Sequence, residues 1–271
     1  MKRFFLPLFT ASALLLITSI SPLWAEDQDD VLSAHFVTGW RTDVGTHISG
    51  LKLELAKGWK TYWRAPGEAG IPAQFNWASS INLKAVEVHW PRPQVFELQS
   101  MQSIGYKDAV TLPFTFTPID PSKAIEIKAN IDLGVCHDIC LPAHLILRET
   151  LPPNLGAAHS KAIVLALADQ PKSILASSLN QISCSFFSIS GGMEIKTRLN
   201  SPLQGEVMAL AIETDQPAWV SDAALTQTGN NLAAVNQIFP TEQAFFINRT
   251  TLRLTVITQD QAVEIIGCPA G

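Results

Sequence analysis

Cys136 and Cys140 enclose only His137, Asp138 and Ile139. Two thiols at this spacing can form a fixed disulfide, exchange a disulfide with another thiol, or share a soft metal ion with neighbouring imidazoles. Ile131, Leu133 and Val135 alternate before the pair, and Leu145, Ile146 and Leu147 follow Pro142 after it. That pattern predicts a β-hairpin with a tight loop at the cysteines. Residues facing each other across an antiparallel pair have Cα atoms roughly 4.5 to 5.5 Å apart, within disulfide range, so the pair can close. A helix would also bring positions four apart together, but Pro142 and the β-branched neighbours oppose one.

A bridge over so short a loop stabilises by only about 2 kcal/mol on the chain-entropy estimate, against roughly 4.5 kcal/mol for a loop as long as Cys184 to Cys268. Exchange chemistry is therefore the better reason for the first pair, with a fixed hairpin bridge as the alternative. His137, when protonated, would favour a thiolate, and Asp138 would oppose it. Metal binding is a third reading, because Cys136, His137, Cys140 and His144 are soft or borderline ligands. On a strand, however, Cys140 and His144 stand roughly 13 Å apart, too far for one ion unless the strand bends. Cys184 lies in the first strand-like run of the C-terminal half and Cys268 follows the last. Such strands are often neighbours in a sandwich, so a Cys184 to Cys268 structural disulfide is expected, with two separate thiols as the alternative.

The elements that must position these residues follow from the rest of the chain. Its 271 residues are 47% hydrophobic and 16% charged, enough apolar material for a sizeable core. The formal charge of −5 and the lack of any Lys/Arg run exclude nucleic acid as an expected partner. Lys2 and Arg3 precede an apolar stretch from Phe4 to Ile20 and then Ser21-Pro22-Leu23-Trp24-Ala25, which reads as a signal peptide over residues 1–25. Its removal takes the formal charge to −7 and places the mature chain in an oxidising, exported compartment.

From Val31 to Thr150, short runs such as Ile48 to Leu55, Leu83 to Trp90, Thr111 to Phe116 and Ile125 to Val135 alternate between Gly, Pro, Asn and Asp punctuation. They predict an antiparallel sandwich over residues 26–150, with Trp40, Trp59, Trp63, Trp77 and Trp90 mostly in core or rim packing. Leu151 to Gly156 reads as a linker and Ala157 to Ala168 as a short helix, within a connecting segment 151–175. Strand-like runs resume at Ile182 to Ile189, Glu194 to Leu199, Val207 to Ile212, Ala244 to Ile247, Thr251 to Ile257 and Ala262 to Ile266, predicting a second β-sandwich over residues 176–271.

Four blocks occur in order in the first half: the run from Gly58-Trp59-Lys60-Thr61-Tyr62-Trp63 to Gly70-Ile71-Pro72, then Trp90-Pro91-Arg92-Pro93, then Gly105-Tyr106 with Leu112-Pro113, then Val135 to Pro142 around the cysteines. Together they resemble the periplasmic N-terminal region of the DsbD/ScsB thiol:disulfide interchange proteins. The second half resembles only the less distinctive extension of ScsB-like members. The resemblance implies an all-β chain of two immunoglobulin-like antiparallel β-sandwich domains in the periplasm. It implies a cysteine pair that takes electrons from a membrane-embedded thiol donor and passes them to periplasmic thioredoxin-like proteins, with no cofactor. It maps the partner-bonded cysteine onto Cys140 and the resolving cysteine onto Cys136, an aromatic cap onto Phe96 in the segment from Pro93 to Glu97, and a tyrosine near the site onto Tyr62. The cysteine spacing is shorter than in DsbD and closer to the ScsB-like pattern. No membrane-embedded electron carrier follows before Gly271, so a separate protein is expected to supply it. A copper-responsive metal-binding module built on the Cys/His cluster, in keeping with ScsB's association with copper tolerance, and a non-catalytic adaptor are the alternatives.

Overall fold

Every second residue from Ile125 to Val135 is buried, while the side chains between them, from Glu126 to Asp132, are exposed or half-buried. That is the signature of a strand with one face on a core. In the computed structural model, which describes residues 28–98, 101–154, 160–175, 182–200, 203, 205–242 and 245–271, it is one of ten strands in the first half. A short helix α1 (Gln28–Val31) leads into β1 (Leu32–Arg41), β2 (His47–Leu55), β3 (Lys60–Tyr62), β4 (Gln74–Asn76) and β5 (Leu83–Val88). β6 (Gln94–Leu98), β7 (Met101–Lys107), β8 (Ala109–Pro118), β9 (Ile125–Cys136) and β10 (Cys140–Leu151) follow. The expected signal peptide lies outside the described residues. Among those residues, no helix is long and apolar enough to cross a membrane.

The first half forms two antiparallel sheets, ordered β1-β2-β8-β5 and β10-β9-β3-β7-β6, with β4 also paired to β9. Leu51, Leu53, Leu112, Phe114 and Phe116 of one sheet and Ile125, Ile127, Ile131, Leu133 and Val135 of the other belong to one buried core. Trp63 and Trp59 are buried in it, and Trp77 packs edge-on against Phe114 and Phe116 at 5.3 and 5.5 Å between ring centroids.

The connecting helix α2 (Lys161–Ala168) folds back onto the first sandwich. Ile163 is fully buried and lies over Gly50 and Thr111, and Asp169 at the helix end accepts the backbone N–H of Arg92 at 2.6 Å. Residues 157–159 of the expected helix lie outside the described residues.

The second half comprises β11 (Lys172–Leu175), β12 (Ile182–Ile189), β13 (Gly192–Asn200), β14 (Val207–Glu213), β15 (Ala218–Val220), β16 (Ala224–Thr228), β17 (Asn231–Pro240), β18 (Arg253–Thr258) and β19 (Ala262–Ile266). Its sheets run β11-β19-β18-β14 and β12-β13-β17-β15, with β16 also on β17. The chain is thus all-β, built of immunoglobulin-like sandwiches, with departures from the expected pattern. β16 and β17 fall in no expected run. The end of the expected linker is a strand, β11, and it pairs parallel with β19, which is possible because the rest of the second sandwich forms the crossover between them. Phe245 to Ile247, inside an expected strand, are irregular: the Phe246 N–H is bonded to the Gln216 side chain, and Asn248 accepts from Thr250 in a side-chain-stabilised turn.

The inner sheet of the second half is covered on both faces. Leu210, Ile212, Leu254 and Val256 point into its own core, whereas Ala209, Ala211, Ile257 and Ala262 join the core of the first sandwich. Burial on both sides explains why β14 reads as a continuous apolar run and why β18 is buried from Leu254 to Thr258, and alanines on the shared face allow close approach of the two halves.

Candidate functional site: a cysteine pair under a tyrosine

Cys136 ends β9 and Cys140 opens β10, directly opposite each other in the ladder, with Cα atoms 4.1 Å apart and a disulfide between them. The Ile139 carbonyl accepts the His137 N–H at 3.0 Å and closes the three-residue loop. The two sulfurs have different surroundings because their strands do. β9 lies inside its sheet and β10 at its edge, so Cys136 is 1% exposed while Cys140 is exposed with the loop.

Burial of Cys136 on the outer face of the sheet needs a cover, which comes from the chain leaving β3. Lys60 pairs with Cys136 in the register, so Lys60 and Tyr62 share the face of the cysteine. The Tyr62 hydroxyl donates to Cys136 Sγ at 2.8 Å and stands 3.7 Å from Cys140 Sγ. Burial raises the Tyr62 pKa above its ordinary value of 10, so the phenol keeps the proton it donates. Ile71, from the segment between β3 and β4, lies over Gly134 beside the tyrosine ring. A side-chain carbon at Gly134 would sit 2.8 Å from Ile71 Cβ and 3.2 Å from Tyr62 Cε2, so this strand position requires glycine.

The remaining expected residues fall into two groups. His137 lies beside Trp59 and Gly58, its ring 6.0 Å from that of Trp59 and its Nδ1 3.0 Å from Asp138 Oδ2. Phe96 is on an edge strand, β6, rather than in an irregular segment; Pro91 and Pro93 precede the strand, and an edge tolerates such neighbours. The register places Phe96 opposite Ser103 on the same face as Tyr62, but β3 and β7 separate β6 from β9. Its link to the site is Lys60, whose ammonium lies 5.4 Å from the Phe96 ring centre and donates to Ser103 Oγ at 3.1 Å. Burial lowers the Lys60 pKa.

His144 pairs across the hairpin with Asp132 at 2.7 Å, and among the described residues no three His, Cys, Asp or Glu side chains converge as a metal centre requires. Cys184 and Cys268 form a second, fully buried disulfide far along the chain, with Cα atoms 5.6 Å apart. Sequence reasoning missed Lys60, Ile71 and Gly134 as site residues. The first two lie in the Gly58 to Pro72 block, but nothing in their spacing marks which strand they meet.

Residues 28–151 match the family model for the N-terminal domain of the thiol:disulfide interchange protein DsbD. No curated protein matches the chain. Among solved structures, the N-terminal periplasmic domain of ScsB from Proteus mirabilis superposes with a TM-score of 0.65 at 22% identity, over 92% of this chain and 98% of that one. That likeness extends the shared fold across both sandwiches.

Proposed function

We propose that this chain, whose residues 28–151 form a DsbD/ScsB-like N-terminal domain, is a thiol:disulfide exchange protein of an exported compartment, passing electron pairs through Cys136 and Cys140. The observation that carries the reading is the asymmetry of the pair: one sulfur exposed, the other buried against a phenol donor. A donor's thiolate attacks Cys140 Sγ, the intramolecular S–S bond breaks, and its electron pair goes to Cys136 as a thiolate. Tyr62 donates a hydrogen bond to that developing charge. A second donor thiol then attacks the donor's own sulfur in the mixed disulfide and releases Cys140, leaving the pair reduced and the donor oxidised.

Onward transfer runs the same bonds in reverse. The Cys140 thiolate attacks an acceptor disulfide, and the Cys136 thiolate attacks Cys140 Sγ and expels the acceptor as a dithiol. The pair supplies both electrons, so no bound cofactor enters the step. On the resemblance drawn from the sequence, the donor is a membrane-embedded thiol protein and the acceptors are thioredoxin-like proteins of the periplasm.

A redox titration of the oxidised chain against glutathione, with mass mapping of the Cys136/Cys140 peptide, tests the reading. Exchange with a thioredoxin-like protein and a potential above about −300 mV support it. A lower potential with no exchange marks a structural bridge and overturns it.

A further inference from the structure

Residues 63–73, which follow Tyr62 and carry Ile71 over Gly134 beside the tyrosine ring, also meet the second sandwich. Arg64 stacks on Trp63, 4.2 Å from the ring centre, and its Nε donates to both carboxylate oxygens of Glu213 at 2.9 and 3.1 Å. Its Nη2 donates to Glu264, which also accepts from Arg253 at 3.1 Å. Glu213 and Glu264 lie on the face of the inner sheet that meets the first sandwich, and these side chains are mostly shielded from solvent. Screening is therefore weak, and removing one partner leaves a poorly solvated charge.

Further along, the Glu68 N–H donates to Asp222 at 3.2 Å and the Asp222 N–H donates to Glu68 Oε1 at 3.0 Å. Gly67, with φ of +80°, brings the backbone against Asp222, where a side-chain carbon would stand 2.7 Å from the carboxylate. Behind this segment a cleft of about 530 Å³, lined by Gly67, Gly70, Leu210 and Trp219 among others, separates it from the second sandwich. On the first sandwich the segment is tied to β7, where the Trp63 N–H donates to the Ile104 carbonyl at 3.0 Å and the Ile104 N–H to the Pro66 carbonyl at 2.8 Å; beyond Pro66, Glu68 reaches the second sandwich through Asp222.

We propose that the second sandwich is part of the exchange site: Glu213 and Glu264 through Arg64, and Asp222 through Glu68, are positioning residues that hold the 63–73 segment, and with it Ile71, beside the Tyr62 ring that shields Cys136. The proposal rests on the exchange reading above and deepens it, giving the C-terminal half a role in setting which sulfur is reached. With the segment held, incoming thiols meet Cys140; with it released, Tyr62 keeps its place on β3 but loses the Ile71 beside its ring, and Cys136 becomes easier to reach.

The test uses the full chain with Cys140→Ser, which leaves Cys136 as a free thiol, and measures its alkylation by iodoacetamide. Asp222→Ala and Glu213→Gln, singly and together, are expected to speed alkylation by roughly tenfold, the scale of coupling through a contact network. Asp222→Asn, which keeps an oxygen acceptor, should restore most of the protection. Glu194→Gln, on the outer sheet where Glu194 pairs with Lys196, serves as a control that should leave the rate unchanged. Alkylation within about twofold of the parent in the folded Asp222→Ala and Glu213→Gln chains overturns the proposal. Asp222→Ala alone removes only a peripheral contact and keeps the test open if the double variant unfolds. Exchange of the parent chain with a thioredoxin-like protein is scored separately: its failure refutes the exchange reading, whereas normal exchange with insensitive alkylation refutes only the positioning role.

Discussion

The Tyr62 hydroxyl donates a 2.8 Å hydrogen bond to Cys136 Sγ, the buried sulfur of the pair, and lies 3.7 Å from the exposed one. A donor placed this way stabilises Cys136 more as a thiolate than as half of a disulfide, because a charged acceptor roughly doubles the strength of the bond. Tyr62→Phe removes the donor and keeps the ring over Gly134. Loss of a hydrogen bond to a charged group, about 1.5 to 3 kcal/mol, should move the potential of the pair roughly 30 to 60 mV more negative. Equilibration with glutathione checks this; an unchanged or higher potential contradicts it.

On the proposed reading, the exposed Cys140 is attacked first and the buried Cys136 resolves. Cys136→Ser leaves Cys140 at the surface with no resolving thiol, so a mixed disulfide with a thioredoxin-like protein should accumulate. Cys140→Ser leaves only the buried thiol and should trap little. Non-reducing electrophoresis reads both, and the reverse outcome would exchange the two roles while leaving the pair as the site.

The second disulfide should act as a staple. It closes a loop of 84 positions, ties β12 to the chain just after β19, and its Cys184 also lies within 3.5 Å of Thr197 Oγ1. Replacing both cysteines with alanine should cost up to about 4.5 kcal/mol in a denaturant titration. Exchange at Cys136/Cys140 should persist wherever the chain stays folded; its loss in the folded variant would tie the staple to the chemistry.

Phe96 stands beside Lys60, with β3 and β7 between its own strand and β9, so its role as a cover is open to a direct test. Phe96→Ala removes the ring beside the Lys60 ammonium from an edge strand, so the melting temperature should change little. Reaction of the oxidised pair with small thiols should accelerate. A clear loss of stability with unchanged reactivity would make Phe96 a packing residue only.

Acid should destabilise the first sandwich through His47. The side chain is fully buried on β2, opposite Arg41 and Phe116, and neither ring nitrogen has a protein hydrogen-bond partner. Burial first, and the Arg41 charge second, lower its pKa from 6.5 to about 4. The unfolded chain therefore takes up a proton that the folded chain refuses. Stability present above the unfolded value falls as pH drops from about 6.5 toward 4, by at most about 3 kcal/mol. Urea midpoints at the two ends of that window should show the loss in the parent and a flatter profile in His47→Leu. An equal slope in both would assign the acid sensitivity elsewhere.

Local periodicity carried the hairpin. Alternation from Ile125 to Val135, a short loop and Pro142 already set Cys136 opposite Cys140, because register in a tight hairpin is decided by neighbours in the chain. Most long strands were legible for the same reason, but β17 fell in no expected run although Leu232, Ala234, Asn236 and Ile238 alternate on its buried face. Strands of three residues such as β3 and β4 were not, since so short a run has no period to read. The Ala244 to Ile247 run misled because apolar content alone does not tell a strand from a loop held by Gln216 and Asn248.

What tertiary structure alone decided is the difference between the two sulfurs. Cys136 and Cys140 are equivalent in a hairpin drawn from sequence. They become unequal because β9 is inside the sheet and β10 at its edge, and because Tyr62, 74 positions away, arrives on β3. The same holds for Arg64, which meets Glu213 and Glu264 only because the inner sheet of the second sandwich presents alanines that admit the first. Spacing in sequence encodes which face a residue takes within its own strand. Which strands become neighbours depends on how the sheets pack, and that fixed the surroundings of the reactive pair.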